Sequence, residues 1–145
     1  NRHLYLSTQS ARYATLFLAF YDVKTHELTY SNGGHLPPLL LSTDGTVRRL
    51  DCGGSVVGLL EDLDYTEETV HLESGDLLIA FTDGLTEPEN AASGEFGEAR
   101  LLELMRQHGT EPLPTLAANT LTVIKQWIGN QDQPDDMTIL LARQL

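Results

Sequence analysis

Residues 79–90 read IAFTDGLTEPEN. An apolar run of strand character, Leu77 to Phe81, stops at Thr82-Asp83-Gly84 and so puts a carboxylate where a buried strand surfaces. Asp and Gly end strands for local reasons alone. Asp hydrogen-bonds its neighbouring backbone, and Gly tolerates φ values that other residues avoid. The stretch by itself leaves two readings open, a plain turn or a carboxylate placed for chemistry.

Working outward, the run Ala14 to Val23 is apolar at both alternating sets of positions, as expected of a strand in the middle of a layered structure. The turn KTHE leads to a strand from Leu28 to Ser31. NGGHLPP interrupts the pattern, and Leu39 to Ser42 resumes it. TDGT is a hairpin turn into Val47 to Leu50. Asp51 to Leu60 reads as a Gly-rich loop and Tyr65 to Leu72 as an exposed strand, followed by Leu77 to Phe81. Two helices are predicted next. Phe96 to Gln107 carries Leu101, Leu102, Leu104 and Met105 at helical spacing, and Pro114 to Ile128 opens on a Pro and ends at Gly129. After the polar loop NQDQPDD, Met137 to Ala142 is a last strand, again apolar on both faces. Strands first, then two helices, then one strand is not the alternation of a doubly wound sheet. It predicts an α+β fold, a layered β-sandwich with flanking helices.

At 145 residues the chain is expected to form a single domain, residues 1–145. Its net charge of -12 argues against a nucleic-acid binder, which needs a basic face. Cys52 is the only cysteine, so no internal disulfide or cysteine metal cluster is available, and a reducing cytoplasm is the expected location. No apolar run approaches the roughly 20 residues of a membrane span. The chain lacks an initiator Met and reads as a fragment of a longer one.

Carboxylates flank two buried-looking strands. Asp83 follows Leu77–Phe81, and Asp135 and Asp136 precede Met137–Ala142. The end of one strand meets the start of the other only if the two run antiparallel. Carboxylates brought that close repel unless a cation neutralises them, and hard divalent ions such as Mg²⁺ or Mn²⁺ prefer oxygen ligands. The alternative is two surface turns that never meet. His35, between Gly33-Gly34 and Pro37-Pro38, is read as a residue that fixes its loop. No phosphate-binding loop, dinucleotide fingerprint, nucleophile elbow or zinc-spaced His pair is present.

The segments YSNGGHLPPLLL, VVGLLED, LESGDLLIAFTDGLTEPENAASGEFGEARLLELM and PDDMTILLAR occur in the order found in bacterial PPM-type, metal-dependent serine/threonine phosphatases. They resemble the SpoIIE/RsbU branch in particular, over Tyr13 to Arg143. The resemblance implies two-metal hydrolysis of phosphoserine or phosphothreonine, with Mn²⁺ or Mg²⁺ as cofactor. It implies Asp83 and Asp135 as metal ligands, with Asp136 the second choice of the Asp-Asp pair. Gly84 would let backbone pass close to the site. Asn32, Gly34 and His35 would form the structural loop of the family's Asn-Ala-Gly-His-x-Pro-Pro motif. The partner it implies is a phosphorylated anti-sigma-factor antagonist or similar regulator.

Departures accompany the match. The branch's Gly-Asp-x-Tyr-Asp segment, which supplies bridging ligands, and its Asp-x-x-Gly-His-Gly segment are absent. Gly33 replaces the usual Ala, and Val56-Val57 replaces Pro-Leu. The chain is therefore expected to be the C-terminal two-thirds of a phosphatase domain, inactive and metal-free by itself. The alternative is a non-catalytic interaction module on the same fold. Strands apolar on both faces and short of cover also predict a two-fold homodimer.

Overall fold

The computed structural model describes residues 1–7, 12–90, 94–130 and 135–145. Residues 131–134 of the expected polar loop, and Pro134 of the last matched segment with them, lie outside the described residues. In chain order the elements are α1 (Arg2–Ser7), β1 (Leu16–Asp22), β2 (Glu27–Gly33), β3 (Leu39–Leu41), β4 (Val47–Arg49), β5 (Gly53–Gly54), β6 (Glu68–His71), β7 (Leu77–Phe81), β8 (Glu89–Asn90), β9 (Gly94–Glu95), α2 (Gly97–His108), α3 (Leu113–Ile128) and β10 (Ile139–Arg143). The class is α+β, as the order of apolar patterns predicts. The helix α1 and the small β8–β9 hairpin were not expected. Two compact units make up the chain, Asn1–Pro38 with Arg48–Glu73 and Leu39–Val47 with Ser74–Leu145.

In the first unit β2 is the central strand. It pairs antiparallel with β1 along its whole length, antiparallel with β6, and parallel with the short β5. Its alternation decides its faces: Leu28, Tyr30 and Asn32 are buried, while Glu27, Thr29 and Ser31 are more open. Leu28, Tyr30, Leu50, Val70 and Leu72 form the buried apolar set. The expectation that Ala14 to Val23 lies mid-structure is not met. Among the described residues β1 has β2 on one side and no strand along the other, and Leu16, Leu18, Phe20 and Val23 are exposed.

In the second unit the sheet order is β10-β7-β3. The strand β7 sits between two antiparallel partners, and Leu77, Leu78, Ile79 and Phe81 are all buried. The strand β10 is at the sheet's edge and alternates half-buried with exposed residues, so its two apolar faces are not equally covered. In α3 the buried residues are Leu116, Thr120, Ile124 and Ile128, four apart and hence on one face. The Thr120 hydroxyl is satisfied by the Leu116 carbonyl at 2.8 Å. In α2 the buried pair is Leu101 and Met105. Phe96 meets Trp127 edge-on at 5.7 Å, and the Arg100 guanidinium lies 4.4 Å above the same indole. Arg143 of β10 donates to the carbonyls of Gly109 and Glu111, fixing the strand to the α2–α3 turn.

Candidate active site

The site is built by the register of β7 on β10. Ile139 faces Phe81 and Arg143 faces Leu77, an antiparallel ladder that brings the end of β7 to the start of β10. The ladder runs one step further, with the Thr82 N–H donating to the Thr138 carbonyl at 3.1 Å. The condition set by the sequence, that the two strands run antiparallel, is met.

Asp83 opens a single 3₁₀ turn, Asp83–Leu85. Its carbonyl accepts from the Thr86 and Glu87 N–H groups, both at 2.8 Å, and from the Thr86 hydroxyl at 3.3 Å. Leu85 is fully buried and anchors the turn, while the Asp83 side chain faces solvent and accepts from the Gly84 N–H at 3.0 Å. Asp135 and Asp136 are exposed as well, and the Asp136 N–H donates to the Asp135 carboxylate at 2.7 Å. Backbone is thus held firmly and the three carboxylate residues are exposed at the surface. Gly84 is where the two turns touch. A Cβ built there would overlap the Asp136 carbonyl oxygen, so any other residue forces the turns apart.

These residues offer carboxylate oxygens, the donor type that hard divalent cations take. They do not complete a two-metal centre. Among the described residues no group of three His, Cys, Asp or Glu side chains gathers where it could hold a metal ion.

The NGGH loop belongs to the other unit. Asn32 is buried, and its amide nitrogen donates to the carbonyls of His35 (3.0 Å) and Leu50 (3.3 Å). Its oxygen accepts from the His35 N–H at 2.8 Å, so a buried amide is satisfied by the loop it braces. Gly34 has φ +73, and a Cβ there would strike Val56. The His35 ring meets the Thr15 hydroxyl at 3.2 Å.

Sequence reasoning passed over two features. Thr82 makes side-chain bonds to the opposite turn; a hydroxyl at the junction of strand and Asp-Gly turn was the available signal. The second is a polar chain in the first unit. The buried Tyr30 hydroxyl donates to Glu68 at 2.5 Å, and Arg48 pairs with the same carboxylate at 2.8 Å. Burial, reinforced by the bond to Glu68, pushes the Tyr30 phenol up to about 12. The Tyr30 hydrogen bond, aided by Arg48, holds the Glu68 carboxyl below its usual range. No sequence pattern announces this set, because its members are far apart in the chain.

The α+β fold, with its carboxylate turns at one end of an antiparallel strand pair, matches that of PPM-type serine/threonine phosphatase domains, and the chain is similar to members of their SpoIIE/RsbU-like branch. The chain belongs to the Stage II sporulation protein E (SpoIIE) family, whose model matches residues 1–144. It is 32% identical to Protein IcfG of Synechocystis sp. (strain ATCC 27184 / PCC 6803 / Kazusa), over 94% of this chain and 22% of that protein. It is 28% identical to the phosphoserine phosphatase RsbU of Bacillus subtilis (strain 168), over 99% of this chain and 42% of that protein. The SiaA-PP2C domain of Pseudomonas aeruginosa superposes with a TM-score of 0.77 at 25% identity, covering 89% of this chain and 51% of that one. The chain thus spans less than half the length of these two curated relatives. Among the described residues no helix is long and apolar enough to cross a membrane.

Proposed function

We propose that residues 1–145 are the C-terminal two-thirds of one phosphatase domain, which removes phosphate from a serine or threonine of a regulatory protein. By the branch it belongs to, the substrate is a phosphorylated anti-sigma-factor antagonist or a protein like it, acted on in the cytoplasm. Asp83 and Asp135 hold the cation, Mn²⁺ or Mg²⁺, with Asp136 beside them, and ligands from outside these residues complete the centre. The cation supplies charge neutralisation for the phosphate and activation of water. The chain's own part is to present two exposed carboxylate residues on firmly held turns. The observation that carries this reading is the β7–β10 register, which sets the Asp83-Gly84 turn against the Asp136 backbone.

The test is hydrolysis of p-nitrophenyl phosphate and of a phosphoserine protein in millimolar Mn²⁺. Residues 1–145 alone turn over at the buffer rate. A longer protein carrying this domain turns over, and Asp83→Asn there costs more than the roughly 10–100-fold typical of residues that only support a ligand. Unchanged turnover in that variant would remove Asp83 from the site.

A second reading, a non-catalytic module that binds a regulator, is favoured by the lack of a three-ligand group among the described residues. Binding of the phosphoprotein without turnover by the longer protein would select it. We also propose that this chain forms a two-fold homodimer through β1, which lies at the end of its sheet's strand order among the described residues and exposes the apolar side chains of Leu16, Leu18 and Phe20.

A further inference from the structure

Thr82 stands between the last residue of β7 and Asp83, in extended conformation with φ -96 and ψ 160. Its side chain does unusual duty for a strand end. The hydroxyl donates to the Asp136 carbonyl at 3.1 Å and accepts from the Thr138 N–H at 3.0 Å. Its own N–H meets the Thr138 carbonyl at 3.1 Å. Three bonds therefore run from this one residue to Asp136 and Thr138, in the segment that leads from Asp135 into β10. In a regular antiparallel ladder the Thr138 N–H would take a backbone carbonyl. Here a side-chain hydroxyl takes that place at the last step before the carboxylates begin. The Asp136 carbonyl is then held twice, by the Thr82 hydroxyl and by the close approach of Gly84.

We propose that Thr82 is the positioning residue of the carboxylate pair: its hydroxyl sets the spacing between the Asp83 turn and the Asp135-Asp136 turn. It is not itself a ligand. A methyl in place of the hydroxyl preserves shape but leaves the Thr138 N–H and the Asp136 carbonyl without this partner, so both turns drift. A serine keeps the hydroxyl and the spacing. The inference rests on the reading of Asp83 and Asp135 as cation ligands.

The experiment compares wild type, Thr82→Ser and Thr82→Val in the 145-residue chain by amide NMR. The first measurement is the exchange rate of the Thr138 amide against that of Ile79 in the buried ladder. The second is the Mn²⁺ concentration that broadens the Asp83 and Asp136 amides. The expected result is about tenfold faster Thr138 exchange in Thr82→Val with Ile79 unchanged, the scale of one lost hydrogen bond. Its Mn²⁺ midpoint rises roughly 10–100-fold, as for loss of a residue that orients a ligand, and Thr82→Ser stays at wild type in both measurements. A Thr82→Val chain with wild-type exchange, or with a wild-type Mn²⁺ midpoint where wild type responds, overturns the proposal. A Thr82→Val chain that fails to fold leaves Thr82→Ser to decide, since a serine that does not retain wild-type values overturns it too. If wild type shows no broadening at any Mn²⁺ concentration, ligation by this chain alone fails as a separate matter. The exchange rates then decide Thr82.

Discussion

The strands β1, LFLAFYD, and β7, LLIAF, are almost equally apolar, yet Phe20 of β1 is 71% exposed and Ile79 of β7 is 0% exposed. The difference lies in their neighbours. The strand β7 has β10 on one edge and β3 on the other, so its backbone groups are paired on both sides. Among the described residues the strand β1 has a strand, β2, along one edge. Apolar composition states what a strand can bury, and pairing decides what it does bury. The contrast carries over to the site, since a strand paired along both edges delivers Asp83. A carboxylate is held open most firmly when the backbone behind it cannot shift.

The sharpest way to break this comparison is truncation in each strand. Ile79→Ala should cost about 2–5 kcal/mol, while Phe20→Ala should stay within about 0.5 kcal/mol. Urea unfolding of the two variants measures both, and equal losses would mean that β1 is covered in solution.

Next in size is Gly84→Ala. Its Cβ overlaps a backbone carbonyl that has little freedom, so a loss of about 1–3 kcal/mol is expected, with faster exchange at the start of β10. Gly33→Ala is the matched test in the other unit. There the new Cβ sits 2.9 Å from Val57 Cγ2, and the added change Val57→Ala should recover most of the loss. That recovery would tie the two departures from the family motif, Gly33 and Val57, into one compensating pair. Thermal unfolding of the double variant decides it.

A smaller effect comes from Tyr30→Phe, about 0.5–1.5 kcal/mol for one hydrogen bond. The pH dependence has a definite sign at both ends. The Glu68 carboxyl is lower in the folded chain than in the unfolded one, so its contribution is present above the ordinary carboxylate range and is lost as pH falls through the folded value. The Tyr30 phenol is raised to about 12, so its contribution is complete below an ordinary value near 10 and is lost as pH rises through about 12. Urea midpoints of Tyr30→Phe and wild type should converge at both extremes.

The smallest effect on folding is expected for Phe20→Lys, within about 0.5 kcal/mol. Its readout is assembly. Light scattering should give a mass near two chains for wild type and near the 16.0 kDa of one chain for the variant. A wild-type mass of one chain ends the dimer proposal.

Much was legible in the sequence where the cause is local. Leu77 to Phe81 is a strand in the structure with the same bounds, and α3 differs from the expected Pro114 to Ile128 by one residue. Asp83-Gly84 was marked by its turn chemistry, and Asp135-Asp136 by its place before an apolar run. The Asn32 bracing bonds and the Tyr30–Glu68–Arg48 chain were not legible. Each depends on residues brought together by the sheet, and polar residues carry no periodic signal when their partners are distant.

By itself the sequence determined the α+β class, the carboxylates at two strand ends and the Gly between them, because side-chain chemistry and turn preference are properties of a few adjacent residues. Only the tertiary structure decided that β7 is central and β1 an edge, that β7 and β10 run antiparallel, and that the Thr82 hydroxyl spans the two turns. Strand neighbours are chosen by hydrogen bonds between segments far apart in the chain, such as Thr82 and Thr138, which are 56 residues apart, and nothing within either segment names its partner.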